Sequence, residues 1–398
     1  MSHALGHRGP DAQDILLRTG VGLGHTRLSI VDIAGGAQPM QTADAKLALV
    51  FNGEIYNYRK LRRSLIADGV CLRTQSDTEV VLELYRCDGA AAVQQLRGMF
   101  AFIIHDAESG RLFIARDRFG IKPLFYHWDD HTLVAASEMK ALFASGHVSP
   151  QLCAGSIANY FTYQFSISPH TPFTGVYELP PGHTLTLEGG NAPRIERNWD
   201  LAFPREHEYE SLDEDYWLTR FGDALNDAVQ THTIGEVVIG AYLSGGIDSC
   251  TITRLLADHY PQPLQTFSIG FNNPDYDESA EYRAVAAHFG VANAELMLAD
   301  ARPQGYLDDL IGALYHLEQP QRMAVDIPHY LLSGLVRGAG YKVVYTGDGA
   351  DEILAGYDCF RQDYMRVWSN GFSSARYGAG ATCIATPTTL PKIKCACC

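Results

Sequence analysis

Hydrophobic and polar positions follow two different patterns along the chain, one in residues 1–150 and another from position 213 onward. In the first region, short apolar runs of strand length are separated by turn residues, and helical spacing occurs in two segments, 58–68 and 78–87. The runs that predict strands are GVGLGHTRLSIVD, KLALVFNGEIYNY, GMFAFIIHD, RLFIARD, PLFYHW and TLVAASE. Many antiparallel strands with few helices are typical of a layered α+β domain.

The second pattern follows a stretch, 165–210, that is rich in Pro, Gly and Glu and predicts a closing hairpin and then an interdomain linker. Beyond it, helical runs such as EDYWLTRFGDALNDAVQTHT and DIPHYLLSGLVRGAG alternate with apolar strands such as VVIGAY, LQTFSIGF, AELMLA and KVVYTGDG. This alternation predicts an open parallel sheet of the α/β class, on which ligands bind at the carboxyl ends of the strands. We therefore expect segments 243–249, 268–271 and 346–351 to converge.

The periodic pattern stops near Trp368, and the remaining residues are rich in Gly, Ser, Thr and Ala. The sequence thus predicts an amino-terminal domain over 1–200 and a second domain over 210–368. Residues 369–398 are expected to form a disordered or aberrant tail.

Composition and charge narrow the possible partners. The chain has 398 residues, a net charge of −15 and no basic stripe, which argues against nucleic acid as a partner. No apolar run reaches the roughly 20 residues that span a bilayer, and the first residues lack the apolar core of a signal peptide. The nine cysteines show no framework spacing, which favours a reducing, cytoplasmic location.

One short motif carries most of the chemical information in the second region. Leu243-Ser244-Gly245-Gly246-Ile247-Asp248-Ser249 stands between an apolar strand and a helical run, an arrangement that directs free backbone N–H groups at an anion. The serines add hydroxyl donors, and the carboxylate of Asp248 is a suitable Mg²⁺ ligand beside phosphates. The alternative is an ordinary strand-to-helix turn; a Walker loop is excluded because no Gly-Lys-Ser/Thr follows.

A series of motifs in the same order resembles a known family. HRGPD, HTRLSIVD, GAQPM, FNGEIYNY, SDTEVVLELY, LRGMFAF, ARDRFGIKPLFY and ASEMKAL resemble the glutaminase domain of glutamine-hydrolysing asparagine synthetases. LSGGIDS, SIGF followed by YDES, and TGDGADEILAGY resemble the ATP-pyrophosphatase-like synthetase domain of that family. Taken alone, FNGE is an ordinary turn signal and Ser76-Asp77-Thr78-Glu79 an ordinary helix N-cap.

The resemblance implies an Ntn-hydrolase-like glutaminase domain joined to an ATP-binding α/β domain. Glutamine would be hydrolysed in the first, and ATP with Mg²⁺ would adenylate aspartate in the second to form β-aspartyl-AMP. Ammonia would then displace AMP. The partners implied are small molecules, and many relatives are homodimers, although nothing in the sequence shows an interface.

The resemblance also implies roles for individual residues at the glutamine site. Arg27 would bind the glutamine α-carboxylate, and Glu54 and Asp77 would hold its α-ammonium group. The side-chain amide of Asn52 and the backbone N–H of Gly53 would form the oxyanion hole, a contribution worth several kcal/mol in acyl-transfer enzymes.

At the nucleotide site, the implied residues fall into groups with shared roles. The adenosine pocket would be lined by Leu243, Ile269, Thr346 and Gly347. The pyrophosphate would be held by Ser244, Gly245, Gly246, Asp248 and Ser249. Asp248 and Asp351 would bind Mg²⁺, and Asp348 would act in forming the intermediate and in deprotonating ammonia.

Three departures from the family pattern lead to further expectations. The family nucleophile is a cysteine after the initiator methionine, whereas Ser2 stands here and the HRGPD motif follows at once, so the glutaminase step is expected to be lost. Asp348 replaces the usual Glu and is shorter by about 1.5 Å. A lysine that steadies the departing pyrophosphate has no counterpart, because the likeness ends near Trp368.

We therefore expect a member of this family that is shortened at both ends. Two alternatives remain open. In the first, the chain amidates or cyclises a carboxylate other than aspartate, for which Asp348 leaves room. In the second, it is a non-catalytic truncated remnant.

Overall fold

The computed structural model describes residues 1–208, 210, 212–298, 303–319 and 326–360. The predicted tail, 369–398, lies outside the described residues. The chain divides into two compact units, Met1–Thr346 and Gly347–Cys398. The domain boundaries near residues 200 and 210 stay a prediction.

The first 200 residues contain mostly antiparallel strands, as predicted. The strands are Ala12–Arg18 (β1), Val21–Arg27 (β2), Met40–Gln41 (β3), Leu47–Ile55 (β4), Gly98–Asp106 (β5), Leu112–Arg116 (β6), Phe125–Trp128 (β7), Leu133–Ala136 (β8), Tyr177–Glu178 (β9), His183–Leu187 (β10) and Arg194–Arg197 (β11). The α-helices are Tyr58–Ala67 (α1), Asp77–Asp88 (α2), Ala92–Gln95 (α3), Met139–Phe143 (α4) and Ala154–Tyr163 (α5). The sheets have the orders β11-β10-β6-β5-β4-β3, β8-β7-β9 and β1-β2, and the predicted closing hairpin is β10–β11.

Period-2 alternation along the strands builds a stack of layers. Along β5, Phe100, Phe102 and Ile104 pack with helices α1 and α2, whereas Ala101 and Ile103 pack with the three-stranded sheet. The outer face of that sheet is covered by the short helix α4. The result is a helix layer, two antiparallel sheets and a second helix layer, which confirms the predicted layered α+β class.

From residue 214 onward the described chain forms a parallel sheet with helices on its faces. The helices are Glu214–His232 (α6), Ile247–His259 (α7), Ser279–Phe289 (α8), Pro303–Leu317 (α9) and Asp326–Gly338 (α10). The strands are Ile239–Tyr242 (β12), Gln265–Phe271 (β13), Ala292–Leu298 (β14) and Val343–Tyr345 (β15). All pair in parallel in the order β14-β13-β12-β15, which confirms the α/β class predicted here. No helix in the described part of the chain is both long enough and apolar enough to cross a membrane.

The predicted strand over GVGLGHTRLSIVD is too long, because β2 ends at Arg27. The guanidinium group of Arg27 donates hydrogen bonds to the carbonyl oxygens of Val31, Asp32 and Ile33, and so folds the following residues back. A side-chain contact of this kind leaves no trace in the hydrophobic pattern.

The second unit is described from Gly347 to Phe360. Its helix, Ala350–Leu354 (α11), follows Gly349, whose φ of 92° favours glycine. The hydroxyl group of Tyr357 donates a hydrogen bond of 3.1 Å to Oε1 of Glu352.

Candidate functional site

A cavity of about 290 Å³ opens in the first 200 residues between β2, β4, β8 and the start of α2. All five residues that the sequence predicts at the glutamine site line this cavity, namely Arg27, Asn52, Gly53, Glu54 and Asp77. These residues come from two strands, β2 and β4, and from the start of helix α2, so the fold is what brings them together. Their individual roles stay predictions.

Close strand packing explains the glycine in the centre of β4. Gly53 lies opposite Phe100 of β5, and a Cβ at this position would lie 2.1 Å from the carbonyl oxygen of Met99. The neighbouring Asn52 has a buried side-chain nitrogen, Nδ2, without a hydrogen-bond partner. A buried amide donor that lacks a partner is costly, and it is the type of group that an oxyanion hole requires.

Two buried carboxyl groups stand on one side of the cavity. Burial raises the pKa of Glu54 to about 7; the charge of Lys122 opposes this shift, and that of Asp77 adds to it. Burial also raises the pKa of Asp77 to about 6, against hydrogen bonds that include one of 3.0 Å from the Ile55 N–H. A bound cation would relieve the cost of ionising both groups, so this wall suits an ammonium group.

Arg27 is held in place by the loop that follows it. Its two terminal nitrogens donate three hydrogen bonds to backbone carbonyl groups, which leaves two of its five N–H groups. Gly36 makes room for the guanidinium, because a Cβ there would lie 2.5 Å from Nη2. The geometry thus fixes a positive charge at the cavity wall.

The glycine-rich loop links β12 to α7 as predicted. Gly245 has a φ of 86°, and its Cβ would lie 2.7 Å from Cβ of Glu281, so a glycine is needed for two reasons. Gly246 is the N-cap of α7, a helix of 13 residues. The loop therefore places the amino end of a helix at the carboxyl edge of the sheet.

Ser249 organises the inside of this loop. Its Oγ accepts a hydrogen bond of 3.2 Å from the Ser244 N–H and donates one of 3.0 Å to the Gly246 carbonyl oxygen. The Oγ atoms of Ser244 and Ser249 are 3.0 Å apart. These bonds hold the loop in a curled conformation around a buried hydroxyl group.

The neighbouring strands bring two more predicted residues to the same edge. The Leu243 N–H donates to the Phe267 carbonyl oxygen, and the Ser268 hydroxyl donates to the Leu243 carbonyl oxygen, so β13 lies directly beside the loop. Ile269 is on β13, and Thr346 follows β15, which pairs with the other side of β12. Leu243, Ser244, Gly245, Gly246, Asp248, Ser249, Ile269 and Thr346 thus all belong to the carboxyl edge of one sheet.

Comparison with known proteins agrees with this two-part arrangement. Residues 1–199 match the model of a glutamine amidotransferase domain, and residues 220–385 match that of asparagine synthase. The chain is 31% identical to a putative glutamine-hydrolysing asparagine synthetase of Methanocaldococcus jannaschii, over 92% of this chain and 74% of that protein. The chain belongs to the family of glutamine-hydrolysing asparagine synthetases.

Two further relatives show the breadth of the asparagine synthetase family. Asparagine synthetase 1 of Bacillus subtilis is 34% identical, over 91% of this chain and 56% of its own length. Amidase chyE of Penicillium rubens is 33% identical, over 92% of this chain and 56% of its own length. The chain thus spans just over half the length of these two relatives.

Some cavity residues of this family member were not predicted as site residues. Lys122, from the motif ARDRFGIKPLFY, lines the cavity, and burial lowers the pKa of its amino group, whereas the charge of Glu54 raises it. His25 also lines the cavity; burial lowers its pKa to about 4, its Nε2 donates to the Phe51 carbonyl oxygen, and its buried Nδ1 has no hydrogen-bond partner. His25 stands in the motif HTRLSIVD and Lys122 in ARDRFGIKPLFY, and both motifs carry the family resemblance. Their place in these motifs was the sequence signal that could have indicated them as site residues.

Ser2 lines the cavity as well, on a 3-10 helix, Ser2–Leu5. Gly24 leaves room for the Ser2 side chain, because a Cβ at Gly24 would lie 2.3 Å from Oγ of Ser2. No motif in the sequence places Ser2 there. No cysteine is among the described residues that line the cavity.

Three more residues that the sequence predicts at the nucleotide site, Gly347, Asp348 and Asp351, belong to the second compact unit. Within that unit, Asp351 lies in the first turn of α11. A hydrogen bond to Glu352, together with the charges of Asp351 and Asp348, raises the pKa of Tyr357. Their predicted roles at the ATP site stay predictions.

The donor set is compatible with the predicted Mg²⁺. The described residues contain no group of three or more His, Cys, Asp or Glu side chains with metal-site geometry. Mg²⁺ in nucleotide sites is held by one or two carboxylates together with phosphate oxygens and water, so no larger cluster is needed. Asp248, in the first turn of α7, offers one such carboxylate.

Proposed function

We propose that this chain binds glutamine in the cavity and ATP at the glycine-rich loop, and that the two sites serve ATP-dependent asparagine synthesis. Aspartate would be adenylated to β-aspartyl-AMP, and ammonia or the glutamine amide would supply the nitrogen. One observation carries the proposal: five residues from scattered motifs line a single cavity that contains a buried, unpaired amide donor beside two buried carboxyl groups.

At the glutamine end, charge complementarity supports the proposal. The ammonium group of a free amino acid would favour the ionised forms of Glu54 and Asp77, whose ionisation is opposed by burial. The positive charge of Arg27 at the cavity wall suits the α-carboxylate. Nδ2 of Asn52 would then gain its missing acceptor from the side-chain amide oxygen.

At the nucleotide end, the loop supplies what a pyrophosphate needs. Backbone N–H groups at the start of α7 favour negative charge, and the glycines allow phosphate oxygens to approach closely. Asp248 would offer a carboxylate to Mg²⁺, which offsets phosphate charge and makes pyrophosphate a better leaving group.

The experiment that tests this proposal is ATP/pyrophosphate exchange with aspartate, Mg²⁺ and ammonium chloride. Ammonium is the chosen nitrogen source because no cysteine lines the described cavity. Aspartate-dependent exchange, reduced in a Ser244→Ala variant, would support the proposal. A cooperative melt that ATP shifts, without any exchange, would contradict the adenylation of aspartate.

A second candidate keeps the chemistry and changes the acceptor. It is favoured by Asp348, which is shorter than the Glu usual in the family, and by a relative that is named an amidase. A panel of carboxylates in the same exchange assay separates the two candidates. Exchange that occurs with aspartate, and with no other carboxylate of the panel, would exclude the second candidate.

A further inference from the structure

A series of charged side chains joins the end of helix α9 to the wall of the cavity that is proposed to bind glutamine (the glutamine cavity), and the first of them is Glu318. This residue follows the end of α9 and has a φ of 60°. That left-handed position at a helix end is usually occupied by glycine, because other residues are strained there. A glutamate at such a position therefore suggests that its side chain has a use.

The carboxylate of Glu318 caps a helix from a distant part of the sequence. It accepts hydrogen bonds from the backbone N–H groups of Met139 and Lys140, the first residues of α4, the latter at 2.7 Å. The amino group of Lys140 lies 3.3 Å from Oε1 of Glu318. The side chain of Glu318 is 8% exposed, so water does little to screen these contacts.

Lys140, which contacts Glu318, also contacts Glu138. Its amino group donates a 2.6 Å hydrogen bond to Oε2 of Glu138, while Oε1 accepts bonds of 3.0 Å from His7 and from Arg8. Burial by itself would raise the pKa of Glu138, but the hydrogen bonds from Lys140, Arg8 and His7 outweigh burial and lower the pKa. Glu138 therefore stays ionised and joins the segment of His7 and Arg8 to the start of α4.

The segment that contains His7 and Arg8 forms part of the cavity wall. Arg8 lines the cavity, and a Cβ at Gly9 would lie 2.2 Å from the backbone of Thr26. The Asp11 N–H donates to the carbonyl oxygen of Arg27, the residue predicted to bind the glutamine carboxylate. Any displacement of this segment is therefore passed directly to β2.

We propose that Glu318 is a positioning residue, through which helix α9 of the ATP-binding part sets the shape of the glutamine cavity. The path runs from Glu318 to Lys140, Glu138 and Arg8. The inference rests on the proposed function only where it concerns glutamine affinity. The structural link itself needs no ligand.

The test compares three variants. Glu318→Gly suits the left-handed backbone but lacks the carboxylate, and Glu318→Gln keeps the length without the charge. Asp308→Asn, an exposed acid on the same helix, is the matched control for a change of charge. If Glu318→Gly fails to fold, Lys140→Met cuts the same link in its middle and carries the same expectation.

Amide hydrogen exchange is measured in peptides covering 5–10 and 137–144. Because hydrogen bonds to a charged group are lost, we expect exchange in both peptides to be at least about tenfold faster in Glu318→Gly than in the parent or the Asp308→Asn control. The exchange rates of Glu318→Gln should lie between those of Glu318→Gly and those of the parent. Unchanged exchange in 5–10 would overturn the proposal, because Glu318 would then merely cap α4.

Glutamine and ATP binding provide the second readout. We expect Glu318→Gly to weaken glutamine binding at least about fivefold while the melting shift caused by ATP stays as in the parent; a general loss of stability would reduce both. Glutamine affinity equal to that of the parent would overturn the positioning role. If the parent itself binds no glutamine, the proposed function fails, and the exchange experiment still decides the structural link.

Discussion

The cavity that is proposed to bind glutamine and the glycine-rich loop are built in opposite ways. The cavity collects side chains from separate strands, loops and helices, and several of its polar groups are buried: Glu54 is 7% exposed and Asp77 is 3% exposed. The loop is a run of seven consecutive residues, 243–249, and mainly presents backbone groups at the start of one helix. Substitutions in the cavity should therefore change stability and its pH dependence, whereas substitutions in the loop should change nucleotide binding.

The largest expected effect is on the cavity side, at Gly53. Gly53→Ala would put a Cβ 2.1 Å from a backbone oxygen of the paired strand, which cannot move alone. We expect a loss of about 3 kcal/mol or more in the free energy of unfolding, measured by urea denaturation. Gly22→Ala on β2, where the nearest atom is a Leu17 methyl carbon at 3.5 Å, should change it by less than about 1 kcal/mol. Equal stability of the two variants would contradict this account of β4.

The second effect concerns pH. Because burial raises the pKa of Glu54 from 4.5 to about 7, the folded protein binds an extra proton in this window, and Glu54 lowers stability progressively as pH rises from 4.5 to 7. Glu54→Gln should remove this loss, so the variant should gain on the parent by up to about 3 kcal/mol between these pH values. The measurement is the unfolding free energy of both proteins at a series of pH values.

The two proteins should be compared by the difference in their unfolding free energies at each pH, because His25 changes the stability of both with pH in the direction opposite to Glu54. Its pKa is lowered to about 4, so its contribution to stability grows as pH rises from 4 to 6.5. Glu210→Gln makes the same change at an exposed glutamate and is the matched control. A Glu54→Gln difference that does not vary with pH would contradict the burial argument.

A smaller effect on stability, with a large effect on binding, is expected in the loop. Gly245→Ala adds a side chain at a φ of 86° and 2.7 Å from Glu281, which should cost about 1–3 kcal/mol. The melting shift produced by ATP and Mg²⁺ should disappear. Gly222→Ala in α6, where nothing lies within 4 Å of the new Cβ, should be neutral or slightly stabilising and keep that shift.

The smallest expected effect is at Ser249. Ser249→Ala removes a hydroxyl group that joins the Ser244 N–H to the Gly246 carbonyl oxygen, at a cost of about 1–2 kcal/mol. ATP affinity should fall because the loop is less well ordered. Thr231→Ala removes a hydroxyl group that donates to the Asp227 and Ala228 carbonyl oxygens within α6, so it should leave ATP affinity unchanged, and equal behaviour of the two variants would argue against a role for Ser249 in shaping the loop.

The order of the elements was predictable because period-2 and period-3.6 patterns are local properties of the chain. The strand from Gly98 to Asp106 matches its predicted range, and α2 begins where Ser76 offers an N-cap oxygen to the Thr78 N–H. The end of β2 was missed because the hydrogen bonds of Arg27 to the following loop decide it. Helix α5 was missed as well; Ser156 is its only buried residue, so its sequence carries little of the periodicity that packing imposes.

The two sites also differ in how far local sequence patterns predict them. By itself, the sequence determined the strand-loop-helix of residues 243–249, since glycines, hydroxyl groups and a following helix are all neighbours along the chain. It also carried the motifs that place the chain in its family. Only the tertiary structure decided that Lys122, His25 and Ser2 share a cavity with Asn52 and Glu54, and that Glu318 caps a helix 179 residues earlier in the chain. Burial and long-range hydrogen bonds depend on which segments pack together, and no local pattern encodes that.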